Sequence, residues 1–146
     1  MPRQHFAVSE IEALIPELEA TFSRILQLRV GMRGFEKKLE AAGVDVDMDE
    51  EGNEGEPAEI GETRAMFRGF YEALSESLER IRSLGGDVKD LDMALVDFHG
   101  RRGDQDILLC WRLGEKRIQF WHTADEGFAG RRPLDEGLKH TPPRLD

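Results

Sequence analysis

The side chains from residue 97 onward that are candidates for chemistry are Asp97, Cys110, His122, Glu126 and Arg131. A carboxylate and an imidazole beside a guanidinium can hold a divalent ion with an anionic ligand, or an anion alone. Asp97, His122 and Arg131 are therefore the expected ligand-binding set. For a divalent metal ion, the one cofactor this pattern suggests, the expected ligands are Asp97, His122 and Glu126, because zinc usually wants a third protein ligand. Cys110 is expected to be a small packed hydrophobe in mid-strand. With one cysteine and no HxxxH pair, no closed zinc motif is present, and there is no glycine-rich phosphate loop. Serine is scarce outside the helical stretches, which argues against a serine triad.

Three strands must position these groups. Alternation of period two runs over residues 91–98, 107–113 and 117–122. Gly114-Glu115 suits a type II′ hairpin turn, with glycine first. That register sets Trp111 opposite Ile118, Leu109 opposite Phe120, Cys110 opposite Gln119 and Ile107 opposite His122. The HGRRGD connection is longer. With Gly100 to Asp104 as its loop, Asp97 also faces Ile107. Asp97 and His122 then lie two strand spacings apart, about 9–10 Å. Asp125, Glu126 and Arg131 leave the same strand end and close over it. Glu115, at the turn tip, falls about 20 Å from His122, outside any shared site.

Both faces of this sheet read as apolar. Helices can cover one. The other, with Phe98, Leu108, Cys110 and Trp121, needs the tail or a second subunit, so a homo-oligomer is expected.

The helices precede the sheet. Ser9 and Glu12 form a capping-box pattern, and apolar residues recur at helical spacing from Ile11 to Leu39. Pro16 should bend the first turns. Gly31 and Gly34 are either tolerated surface positions or sites of close helix packing. A second stripe, Phe67, Tyr71, Leu74, Leu78 and Ile81, runs to Gly85-Gly86. Between them, residues 43–62 carry nine carboxylates and no basic residue, and residues 43–58 read as a flexible acidic loop. Asp45, Asp47, Asp49 and Glu56 fall at calcium-loop spacing, but Glu50 and Gly52 stand where that loop needs glycine and an apolar residue, which favours a solvated linker.

The expected fold is thus α+β in one domain, residues 1–146. A long antiparallel helix hairpin over residues 9–84 is followed by a three-stranded antiparallel β-sheet over 91–122 and a loop and tail over 123–146. A net charge of -10 without a basic stripe speaks against nucleic acid or anionic lipid. No apolar run is long enough to span a membrane and the first residues are polar, so a cytoplasmic location is expected.

The strings LVDF, LCWRLGE, WH and GFAGRRP, with VSEIEALIPELEATFSRI near the start, resemble a bacterial family of uncharacterised proteins, domain of unknown function 2203. The resemblance covers most of the chain outside the acidic loop. It implies a small bacterial protein and carries no established activity. The expected function is a non-catalytic binding or assembly module with an unspecified small-molecule ligand. The alternative is a metal- or anion-binding protein, or a small hydrolase-type enzyme, with its site around Asp97 and His122.

Overall fold

The computed structural model describes residues 4–45 and 55–139. Asp47 and Asp49 of the calcium-loop pattern lie outside the described residues, as do residues 140–146 of the tail. The elements are α1 (Val8–Glu12), α2 (Ile15–Ala41), α3 (Ala58–Ser83), β1 (Asp87–Asp90), β2 (Leu95–Arg102), β3 (Gln105–Arg112), β4 (Phe120–His122), a 3-10 turn (Phe128–Gly130), β5 (Arg132–Pro133) and α4 (Glu136–Lys139). They cluster into two compact units, one of Met1–Phe22 with Arg80–Asp146 and one of Ser23–Glu79.

The unit of Ser23–Glu79 is a pair of helical segments. The ring of Phe70 on α3 meets Phe35 of α2 edge to face, with centroids 5.1 Å apart. Gly31 sits under the same ring, where a Cβ would stand 2.3 Å from Phe70, so this glycine marks close helix packing. Gly34 has nothing within 4 Å and is a tolerated exposed position. The helix pair ends in orderly fashion: Gly43, at φ 72, follows α2.

In the other unit, the first helix starts two residues earlier than its capping pattern suggests. Ala7 is the N-cap and its N–H donates to Glu10 Oε1 at 2.9 Å, so Glu10 rather than Glu12 occupies the third helical position. The chain then breaks at Ala13-Leu14 and restarts at Ile15. Pro16 explains the break: lacking an N–H, it is accommodated only in the first turn of a new helix.

The sheet is a five-stranded antiparallel meander in the order β1-β2-β3-β4-β5. It is larger than the three strands expected, because two short strands flank them. The stretch 91–98, expected to be one strand, contains a turn. Met93 N–H donates to Asp90 Oδ1 at 3.0 Å and Ala94 takes φ 51 before β2 begins. The connection HGRRGD is mostly strand. Arg102 pairs with Gln105 across a two-residue turn, Gly103-Asp104, with φ 61 at the glycine. A type II′-like turn thus occurs here and not at Gly114. Its polar residues disguised the strand, and Gly100 inside it has a packing reason: a Cβ there would stand 2.8 Å from Leu109.

At Gly114 the turn differs from expectation. Glu115 N–H donates to Arg112 carbonyl at 3.0 Å, which places Gly114, at φ 105, third in the turn. Strand pairing resumes only at Phe120, with Leu108 opposite His122, Leu109 opposite Trp121 and Cys110 opposite Phe120. The register is therefore one residue from the expected one, and a one-residue slip exchanges the two faces. Val96, Phe98, Leu109, Trp111 and Trp121 share one face. Asp97, Leu108, Cys110, Phe120 and His122 share the other.

The first face is the core. Val8, Ile11, Ile15, Leu18, Phe22 and Ile81 are buried, with Phe22 packed on Trp111 at 5.9 Å and Phe6 edge-on to Phe98 at 5.4 Å. Phe98, Leu108, Cys110 and Trp121, the group expected to lie wet without a partner subunit, are all buried within the chain. Arg102 and Arg132 lie over the Trp121 ring, and Leu134 and Leu138 are buried C-terminal to β5.

Candidate functional site

The second sheet face carries the chemistry. β2 presents Asp97, β3 presents Cys110 and β4 presents His122. Asp97 stands directly opposite Cys110, and His122 stands one pleat further along, opposite Leu108. Successive residues of a strand alternate faces, so these three strands deliver three polar side chains to one spot on an otherwise apolar surface. Asp97, His122 and Cys110 are 3%, 2% and 1% exposed.

His122 Nε2 lies 3.0 Å from Asp97 Oδ1 and 3.1 Å from Oδ2. The other ring nitrogen, Nδ1, lies 2.8 Å from the carbonyl of Thr123. A carbonyl only accepts, so Nδ1 carries a hydrogen and donates it. Nε2 is thereby the nitrogen turned to the carboxylate, and a proton or a cation must lie between them. This is how metal-ligating histidines are usually held, with the second nitrogen bound to a carbonyl that fixes ring orientation.

Cys110 completes a cluster. One ligand atom from each of Asp97, Cys110 and His122 lies within 4.8 Å of the other two. Burial, with the Asp97 carboxylate beside it, pushes the Cys110 thiol up to about 12. Without a cation this is an inert protonated thiol, not a nucleophile.

The cluster opens into a cavity of about 190 Å³. Leu95 and Leu108 from the sheet, Lys89 from β1, and Ala124, Gly127 and Phe128 from the loop after β4 complete its lining. Lys89 donates to Asp87 at 2.7 Å, and that hydrogen bond raises its pKa. A larger cavity of about 430 Å³ lies elsewhere, between α1 and the segments around Ile118 and Leu134. Its one acidic group, Glu12, already accepts from the Ile118 N–H at 3.2 Å.

The expected site residues divide as follows. Asp97 and His122 meet directly. Glu126 does not join them: its carboxylate accepts from Thr123 Oγ1 at 2.8 Å and from Arg132 Nη2 at 2.8 Å, and these contacts hold its pKa low. The third ligand atom beside the pair is Cys110 Sγ. Sequence reasoning set Cys110 aside because the expected register gave it Gln119 as neighbour; the true neighbours across the sheet are Asp97 and Phe120. Arg131 stands beside the cluster, over the rings of Phe120 at 4.1 Å and Phe128 at 4.8 Å. Its partner is Glu115, with Nη2 at 2.9 and 2.8 Å from the two carboxylate oxygens. Glu115, expected far from the site, is folded back toward it by the irregular 113–119 connection.

Among the described residues no helix is long and apolar enough to cross a membrane. No curated protein and no solved structure matches the chain. The model of one family, described as "Uncharacterized conserved protein (DUF2203)", matches residues 4–134. Those residues include every strand of the site, and the chain belongs to this family.

Proposed function

We propose that this protein binds a zinc-class divalent cation through Asp97, Cys110 and His122, as a binding module whose fourth coordination position opens into the 190 Å³ cavity. The observation that carries the reading is the mutual approach of one oxygen, one sulfur and one nitrogen, each from a buried side chain, within 4.8 Å. Bonds of about 2.0–2.3 Å to a tetrahedral ion set such atoms about 3.5 Å apart, so the His122–Asp97 pair, 3.0 Å apart, must part slightly while the cluster as a whole, within 4.8 Å, needs only a small adjustment. A thiolate with imidazole and carboxylate favours zinc over magnesium or calcium. The Thr123 carbonyl supports it by leaving His122 Nε2 as the coordinating nitrogen. Three protein ligands with one open position is also the pattern of zinc centres that bind an external ligand. The assembly role expected from the sequence loses its motive, since the apolar residues that called for a partner subunit are covered within the chain.

The test is elemental analysis of the full chain after zinc reconstitution and gel filtration. About one zinc per chain is expected, falling well below that in Cys110→Ser and in His122→Gln. Retention of no metal by the folded wild-type chain, or equal retention in all three, sinks the reading.

A further inference from the structure

The cavity of about 430 Å³ shares no residue with the metal cluster, and it lies wholly in the unit that contains the sheet. Its walls are α1, the connection at 117–119 and the segment leading from β5 to α4. Hydrogen bonds tie these walls to one another. The Ile118 N–H donates to Glu12 Oε2 at 3.2 Å, and the Leu134 N–H donates to the Gln119 carbonyl at 2.9 Å. The connection is thus held on both sides, and the space between is preformed. Val8, Ile118, Pro133 and Leu134 give it an apolar surface. Arg117 and Lys139 stand in the same lining against one carboxylate, Glu12. Arg117 is exposed and its side chain has no hydrogen bond or ion pair among the described residues. An unpaired arginine is ordinary on an open surface. Beside apolar side chains in a concave space it is one of the few polar groups that orient a ligand.

Size and charge narrow the ligand. The volume falls within the range of about 300–1,000 Å³ typical of small-molecule sites. At about 30 Å³ per water it holds on the order of fourteen water-sized groups, the bulk of a one- or two-ring molecule. Two cations and one carboxylate leave a single net positive charge in the lining. That balance suits a monoanion, whereas a dianion would bring its second charge against Glu12. A guanidinium matches a carboxylate in shape and can bind both its oxygens. We propose that this cavity binds a small organic carboxylate, its apolar body against Val8, Ile118 and Leu134 and its carboxylate on Arg117. The site is separate from the metal reading and does not rest on it.

The experiment follows the backbone amides of the full chain by proton–nitrogen NMR. Sodium benzoate and sodium naphthoate are titrated in at constant ionic strength, with benzamide and phenyl phosphate as comparisons. Saturable shifts of the Val8, Ile118 and Leu134 amides are expected with at least one carboxylate. Benzamide should bind more weakly because it lacks the charge, and phenyl phosphate more weakly because of its second one. Arg117→Gln should weaken the carboxylate by roughly tenfold or more, the worth of one charge-assisted hydrogen bond. Arg117 is exposed, so this variant should keep the wild-type spectrum away from the cavity. Benzamide binding as tightly as benzoate, or equal affinity in Arg117→Gln, overturns the proposal by showing an apolar contact without charge recognition. Tighter binding of phenyl phosphate overturns the choice of a monoanion. Shifts confined to the amides of Asp97, Cys110 and His122 would place the anion on the other cavity and overturn it too. No response to either carboxylate would show that the cavity is closed in solution, by residues 140–146 or by collapse of its walls, and the proposal fails with it.

Discussion

His122 is fixed at one nitrogen and committed at the other. Because Nδ1 donates to Thr123, the approach of Nε2 to both Asp97 oxygens requires a proton or a metal ion in between. Cys110 holds a second proton, since burial pushes its thiol up to about 12. Metal must displace these protons. Apparent zinc affinity is therefore expected to rise with pH, by about tenfold per pH unit for each proton released. Titration calorimetry in buffers of different ionisation heat counts them; a proton count of zero would contradict the ligand set. The same thiol sets a stability prediction for the metal-free chain. Its folded value of about 12 lies above the ordinary thiol value of 9.0, so between those pH values the unfolded state sheds a proton that the folded state keeps. Stability is unaffected below this window and falls as pH rises through it. Denaturant unfolding of Cys110→Ala across that range should show a flatter alkaline limb than the wild type, the gap growing by about 1.4 kcal/mol per pH unit at most.

Elements impose the next set of constraints. On α2 two glycines three residues apart have opposite surroundings. Gly34→Ala adds a methyl in open space and removes a flexible residue from a helix interior, so it should stabilise the chain by about 0.5–1 kcal/mol. Gly31→Ala drives a methyl into the Phe70 ring and disturbs its edge-to-face contact with Phe35. Overpacking there should cost about 1–3 kcal/mol, outweighing the same helical gain. Thermal melts of the two variants should move in opposite directions; a shared sign would mean that Phe70 swings aside freely. These two positions look alike in the sequence, because spacing reports that a residue is on a stripe and not what faces it.

For the molecule as a whole, the two compact units differ in how they are held. The unit containing the sheet buries Trp111, Phe22, Phe98, Ile11 and Leu109 almost completely. Among the described residues of Ser23–Glu79, the buried apolar side chains are Ile25, Leu39 and Phe67, while Val30 and Met66 are 70% and 52% exposed. Local opening follows buried apolar contact. Hydrogen exchange in native buffer is therefore expected to be faster for amides of the Ser23–Glu79 helices than for those of β2 and β3, and equal protection throughout would show one cooperative unit instead.

The amino-acid sequence by itself determined the kinds of element and their chain order. The change from period 3.6 to period two after Gly85-Gly86 separates helices from strands, because each period is a property of the local backbone. It also placed Asp97 and His122 on one face, by way of two errors. The β2–β3 pairing is three residues from that expected, with Cys110 in place of Ile107 opposite Asp97, and the β3–β4 pairing is one residue off. Three and one sum to an even number, and with a side-chain period of two an even total slip preserves the face. Cys110 had no such protection, since each slip alone is odd and moves it relative to its neighbour. Only the tertiary structure decided the two turns, the short strands at the sheet edges, the folding of Phe128 onto the site and the place of Arg131 behind the Phe120 and Phe128 rings. Those depend on what each segment meets in space, such as the Leu109 side chain that demands Gly100 and the Glu115 carboxylate that receives Arg131.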